Sequence, residues 1–236
     1  GGQGVGGAGS GGGPPVILSV DFVGGRPSAT GAGGGAGAGG AMLIASPVLS
    51  PGEIAGFKPA SRWNSAQGPA GSLSVLTLSN GDLTMATVTW NSPPGASGPG
   101  VWRLGYADVP GNARMMNGYL DPLLPSTPAT IVVANLPTAI AEAAYDVYVY
   151  VSGDVQVAQM RTYRYAIGTT TFVVTETGTV PTAFPGFTLA PEGGAGNYVV
   201  FRNISGTSFT LTATPGSGSP SRAPVNGIQI VSPTGS

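Results

Sequence analysis

The chain has 236 residues, among them 41 glycines and 22 prolines, with no histidine and no cysteine. Nine basic and ten acidic residues leave a net charge of −1, and charged residues make up only 8% of the chain, against about 25% in ordinary soluble domains. Imidazole and thiol catalysis, disulfide staples and soft-metal sites are therefore excluded, and the lack of a basic stripe argues against nucleic acid as a partner.

In chain order, residues 1–15 form a glycine- and proline-rich arm, GGQGVGGAGSGGG followed by Pro14-Pro15. It reads either as a linker or as an arm that reaches a neighbouring subunit. Residues 16–23, VILSVDFV, predict a strand with Val16, Leu18, Val20 and Phe22 along one face. The tract GAGGGAGAGG at 31–40 lacks the strand-then-helix setting of a phosphate-binding loop and reads as a loop insertion.

Residues 73–90 predict two strands joined near Asn80-Gly81-Asp82, a hairpin signal. Further strands are predicted over 130–135 and 145–152. In the second of these, Tyr145, Val147, Val149 and Val151 alternate with Asp146, Tyr148, Tyr150 and Ser152. Residues 160–167 and 169–175 make a hairpin about Gly168, residues 197–203 and 208–214 make another pair, and 226–231 is the last strand. Residues 139–144 offer one helix-compatible turn. No apolar run approaches the ~20 residues of a transmembrane helix. The pattern predicts an all-β protein: one antiparallel β-sandwich of jelly-roll-like form over 16–236, with the Gly-rich N-terminal arm in front and the Gly-rich loop inserted at 31–40.

Several blocks resemble a recurrent β-sandwich domain of secreted surface proteins of environmental bacteria. They are SVDFVGG (19–25), RWNSAQG (62–68), GNARMMNGYLD (111–121), AAYDVYVYVSGD (143–154), GNYVVFRNISGTSFTLTATP (196–215) and RAPVNGIQIV (222–231). More broadly, Asp21-Phe22 and the segments 145–150, 161–168 and 224–230 resemble the corresponding strands of galactose-binding-like and malectin-like jelly rolls. The resemblance implies a sandwich fold and an extracellular, cell-surface location. It supplies no sugar pocket residue by residue.

Among candidate contacts, Trp63-Asn64 in a polar loop and Trp102 after a PPGASGPG turn could offer ring faces and an amide to a glycan. The same tryptophans could equally cap the ends of the sandwich. The tyrosines at 145, 148, 150, 163 and 165 fit cross-strand pairing as well as a binding face. Asn203-Ile204-Ser205 is a sequon for glycosylation. No carboxylates stand at a spacing that marks a hydrolase, no catalytic residue, cofactor site or metal site is assigned, and Asp21, Asp82, Asp121, Asp146 and Asp154 read as turn formers or solubilising groups. A structural calcium in a loop, held by hard oxygen ligands, is an open alternative for a jelly roll, although no D-x-D-x-D-G loop is present. Lys58, the one lysine, reads as an exposed loop residue.

Two functions follow as expectations, and neither is an enzyme. The first is a secreted, self-associating structural or adhesive subunit of an extracellular fibre or surface layer. Its copies would be joined by β-strand contacts through Val16, Ile17, Leu18, Val20 and Phe22, because a charge-poor sheet leaves its edges open to other copies. The second is a carbohydrate-binding module of a larger secreted protein, with polysaccharide as its partner.

Overall fold

The computed structural model describes residues 13–27, 43–95, 98–178 and 182–233. Most of the Gly-rich arm and the whole of the 31–40 tract lie outside the described residues. Fifteen strands and two one-turn helices are found among those described: β1 Ile17–Val23, β2 Gly25–Pro27, β3 Leu43–Ala45, β4 Asn64–Gln67, β5 Ala70–Thr77, β6 Leu83–Asn91, β7 Val101–Arg103, α1 Asn112–Met115, β8 Gly118–Leu120, β9 Ala129–Ala134, α2 Thr138–Ala141, β10 Tyr145–Tyr150, β11 Met160–Ile167, β12 Thr170–Thr177, β13 Tyr198–Ile204, β14 Phe209–Pro215 and β15 Gly227–Val231.

Two sheets make the sandwich. One has the order β13-β10-β15-β1-β4 and the other β12-β11-β14-β9-β6-β5. All pairings in them are antiparallel except β1 with β4. The expected sandwich is thus present, and it agrees at a coarse level with a galactose-binding-like jelly roll. Two small ribbons, β2-β3 and β7-β8, add to it. They, β4 and α1 carried too short a pattern to be predicted.

Period-two alternation sets the core. Leu18, Val20 and Phe22 of β1, Val147 and Val149 of β10 and Ile228 and Ile230 of β15 face Val88 and Trp90 of β6, Ile131 and Val133 of β9 and Leu211 of β14 across the sandwich. The two outer faces differ. The six-stranded sheet is open, so β6, β9, β11 and β14 alternate strictly between buried and accessible positions. The five-stranded sheet is covered on both sides, and every residue of β1 and β15 is buried. Its outer face carries a second cluster in which Tyr148, Tyr150 and Tyr198 pack with Trp63, Tyr106, Met115 and Met116. Loops thus form a third layer on this side, and they position the site described below.

The segment expected to reach a sister copy fills the middle of the chain's own sheet. Ile17, Leu18, Val20 and Phe22 are 5% exposed or less, and Val16 packs against the same core. β1 is paired on one side with β15 and on the other with β4. Donating it to another copy would first require pulling it out of this place.

Candidate functional site

The residues singled out from sequence are dispersed. Trp63 is 7% exposed, its Nε1 donates to the Ala60 carbonyl at 3.0 Å, and its ring leans on Tyr150. Asn64 uses its whole amide inside the fold. Nδ2 donates to the carbonyls of Ser19 at 2.9 Å and Thr77 at 3.0 Å, while Oδ1 accepts from the Thr77 N–H at 2.9 Å. Both border a shallow hollow of about 230 Å³, where the Asn64 amide is already bonded to Ser19 and Thr77. The Trp63 ring takes the end-capping alternative, since a large amphipathic ring beside a sheet buries itself when a loop can close over it. Trp102 is half-buried against the same outer layer. Trp90 is 3% exposed. Asn203 is exposed at the end of β13, with its N–H bonded to the Asp146 carboxylate at 3.2 Å. Lys58 is half-buried, with Nζ 5.6 Å from the centre of the Tyr148 ring. No group of three acidic side chains placed to hold a metal ion occurs among the described residues.

What the fold does gather is a polar cluster at one end of the sandwich. β11 turns Arg161, Tyr163 and Tyr165 inward, and β12 turns Val174 and Glu176 toward the same side. Arg161 and Glu176 are direct register partners across that hairpin. The chain leaving β10 brings Ser152, Gly153 and Asp154 beside them. The chain leaving β8 brings Asp121, and the chain entering β15 brings Arg222.

Bonds join these groups pairwise. The Glu176 carboxylate accepts from the Tyr163 hydroxyl, from Ser152 Oγ at 3.2 Å and from the Gly153 N–H at 3.1 Å. Burial pushes this carboxyl up to about 7, outweighing the Tyr163, Gly153 and Ser152 bonds and the nearby Arg161 charge that favour the ionised form. Tyr119 donates to Asp154 Oδ1 at 2.9 Å, and Arg161 Nη1 lies 3.7 Å from the same oxygen. Arg222 Nε lies 3.1 Å from Asp121 Oδ1. Burial pushes Asp121 up to about 7, against the pull of Arg222 and Arg161 and with help from Asp154. Arg161 is 2% exposed, and its Nε and Nη1 find no hydrogen-bond acceptor.

Asn226 locks the end of the cluster. Its Oδ1 accepts from the Ser152 N–H at 2.7 Å, while Nδ2 donates to the carbonyls of Met116 at 2.7 Å and Gly118 at 3.0 Å. It thereby fixes the turn on which Ser152 and Gly153 reach Glu176. Tyr165 adds a bond from its hydroxyl to the Pro224 carbonyl at 2.7 Å.

Over this cluster opens a cleft of about 310 Å³, near the lower end for small-ligand pockets. Its wall combines the edge of the Tyr106 ring, which is 6% exposed and packs on Phe184, and Pro185 with the hydroxyls of Ser152, Thr175 and Thr188, the Asn197 side chain, backbone at Gly153 and Gly196, and the half-buried Glu176. Burial raises the Tyr106 hydroxyl; Ser152 opposes this and Glu176 adds to it. Among the described residues Glu176 is the one carboxylate in the wall, since Asp121 and Asp154 turn toward Arg222 and Tyr119. The cleft thus offers hydroxyls, an amide, a carboxyl group close to its midpoint at neutral pH, and the edge of an aromatic ring. It does not present the two opposed carboxyls that glycoside cleavage uses.

Sequence reading missed Glu176, Arg161, Arg222, Tyr119 and Tyr106. A signal was present for two of them. Arg161 is in phase with Tyr163, Tyr165 and Ile167, and Glu176 with Phe172 and Val174, so each is a charge at an inward position of an alternating strand.

No protein-family model matches the sequence, and no curated protein matches it. Among solved structures, the chain is similar to the crystal structure of an exo-β-1,3-galactanase from Phanerochaete chrysosporium with galactose, at 14% identity and a TM-score of 0.29. The likeness covers 68% of this chain and 29% of the galactanase. A similarity at this level assigns neither fold nor activity.

Proposed function

We propose that the chain is a carbohydrate-binding module of a secreted bacterial surface protein, and that the Glu176 cleft receives one or two units of a neutral saccharide. The observation that supports this most directly is the wall of the cleft. It sets the edge of an aromatic ring beside closely spaced hydroxyl, amide and backbone groups and carries no cation among the described residues. A sugar asks for closely set groups that both donate and accept, with an apolar edge beside them. Glu176 near its midpoint can do either. The charge-poor composition and the resemblance to recurrent sandwich domains of secreted surface proteins support the extracellular setting.

Calorimetric titration with a panel of neutral oligosaccharides tests this, with Tyr106→Ala and Glu176→Ala as variants. Each is expected to weaken binding at least ~tenfold, the effect of losing about 1.4 kcal/mol of contact. Binding that both variants leave unchanged overturns the site, and failure to bind any saccharide in the panel overturns the reading. Release of reducing ends would replace it with a hydrolase.

A further inference from the structure

A second opening lies at the other end of the same pair of strands. The Glu176 cleft draws on Ser152, just past β10, and Asn197, just before β13. A pocket of about 310 Å³ opens instead where β10 begins and β13 ends, and it shares no residue with that cleft. Lys58, Asp146, Tyr148, Asn203 and Ser232 stand around it.

The fold fixes Lys58 from below. Gln229 of β15 is fully buried, and its amide is turned to the Lys58 backbone: Nε2 donates to the Lys58 carbonyl at 2.8 Å, and Oε1 accepts from the Lys58 N–H at 3.4 Å. The Tyr150 hydroxyl donates to the same Oε1 and accepts from the Phe57 N–H at 2.7 Å. At Gly56, where φ is 95°, a Cβ would run into the Gln229 amide, so glycine is what lets the loop settle on it. The backbone that carries the chain's one lysine is thus tied to the sheet, while its ammonium meets no carboxylate among the described residues and lies 5.6 Å from the centre of the Tyr148 ring.

The acid in the pocket is already matched. Asp146 Oδ2 pairs with Arg202 Nη1 at 2.8 Å, and Oδ1 accepts from the Asn203 N–H at 3.2 Å. What is left over is a set of donors. They are the Lys58 ammonium, the exposed Asn203 amide, and the Ser232 hydroxyl, whose oxygen accepts from the Val16 N–H at 2.8 Å and whose proton remains to be given. One ammonium beside the Asp146 carboxylate suits a single negative charge and not the double charge of a phosphate.

We propose that this pocket binds the carboxylate of an acidic sugar unit, a uronate. Lys58 takes the carboxylate in a charge-assisted bond, and Asn203 and Ser232 donate to the hydroxyl oxygens beside it. A backbone already held by Gln229 and Tyr150 leaves only the lysine side chain to be ordered on binding. The site is separate from the neutral-saccharide cleft, and either can fail while the other stands.

Calorimetric titration of the full chain with trigalacturonate and trimannuronate, with their neutral counterparts and acetate as competitors, tests this. At least one uronate is expected to bind and to resist displacement by the neutral trisaccharides. Lys58→Gln should raise its dissociation constant at least ~tenfold. Arg164→Gln, which removes an exposed charge on the open face of β11, should leave it unchanged. Where Lys58→Gln fails to fold by circular dichroism, Asn203→Asp decides: aspartate tolerates the positive φ of 56° there and sets a second negative charge in the pocket, so it should weaken the uronate by at least ~tenfold as well. Failure of both uronates to bind overturns the proposal, as does binding that survives the pocket substitutions or falls equally with Arg164→Gln. Displacement by a neutral trisaccharide overturns the separate site, and acetate bound as tightly as the uronate overturns the sugar.

Discussion

Arg161 and Glu176 stand directly opposite each other across the β11-β12 ladder, on the face turned into the protein. They are nevertheless not a tight ion pair. Arg161 lies nearest Asp154, at 3.7 Å, and Glu176 is held by Tyr163, Ser152 and Gly153. The ladder brings opposite charges together, while the surrounding loops decide which partners each one takes. The consequence is a carboxyl group raised to about 7 in the wall of a cleft.

Stability should therefore fall as pH rises. Glu176 sits at about 7 in the fold and at its ordinary value of 4.5 when unfolded. Below 4.5 both states hold the proton and the contribution is fully present. Between 4.5 and 7 the unfolded chain has released it while the folded chain retains it, so the contribution is lost as pH rises through 7, by up to about 3 kcal/mol. Urea midpoints at pH 5 and pH 8 measure this. Glu176→Gln should flatten the dependence without abolishing it, because Asp121 is also raised to about 7 and acts with the same sign. A midpoint that rises from pH 5 to pH 8 would contradict the assignment.

The Asp121–Arg222 pair gives a second prediction. With 3% and 12% of their side chains exposed, neither partner can turn to solvent when the other is removed. Arg222→Met should cost about 3–5 kcal/mol at pH 8, where Asp121 is ionised, and less at pH 5, where its carboxyl holds a proton; the double variant Asp121→Asn/Arg222→Met should recover most of the pH 8 loss, because that penalty lies in the orphaned buried charge. Denaturation of the four species in one thermodynamic cycle measures the coupling. Additive losses would show that the pair acts independently.

Trp63 should behave as a core residue. Its ring packs on Tyr150 under the loop layer, so Trp63→Ala is expected to cost about 3–5 kcal/mol of stability. Saccharide affinity of the folded fraction should remain unchanged. Affinity lost with stability intact would restore Trp63 as a contact.

Gly118 marks a close crossing of backbone. A Cβ there would lie 2.4 Å from the Gly24 nitrogen and 2.8 Å from the Phe22 carbonyl oxygen. Neither neighbour is a flexible side-chain tip that can move aside. Gly118→Ala is expected to cost about 3 kcal/mol, the upper end for an overpacked interior site, read as a lowered urea midpoint.

Much of the sandwich was legible in the residues themselves. The strand at 16–23, the hairpin through Asn80-Gly81-Asp82, the alternating 145–152 segment and the hairpin about Gly168 all fall within a few residues of β1, β5-β6, β10 and β11-β12. These signals are local, since apolar residues at period two and a turn between them need no knowledge of the partner strand. The short β4, β7 and β8 carry three or four residues each, too few for a period to show.

The site was legible only in fragments. Arg161 and Glu176 were visible as charges in phase with buried neighbours, but Asp121, Asp154, Arg222 and Tyr106 sit in connecting segments with no period to read.

By composition and alternation alone, then, the chain is determined to be all-β and charge-poor, without imidazole or thiol chemistry. Tertiary structure alone decided that Trp63 and Asn64 are engaged within the fold, that β1 lies between two partners, and that scattered acids and arginines gather beneath a cleft that only Glu176 of them lines. The physical reason is range: a strand's alternation is fixed by residues two apart, whereas burial of a loop tryptophan or the partner of a carboxylate depends on which distant surfaces are pressed together.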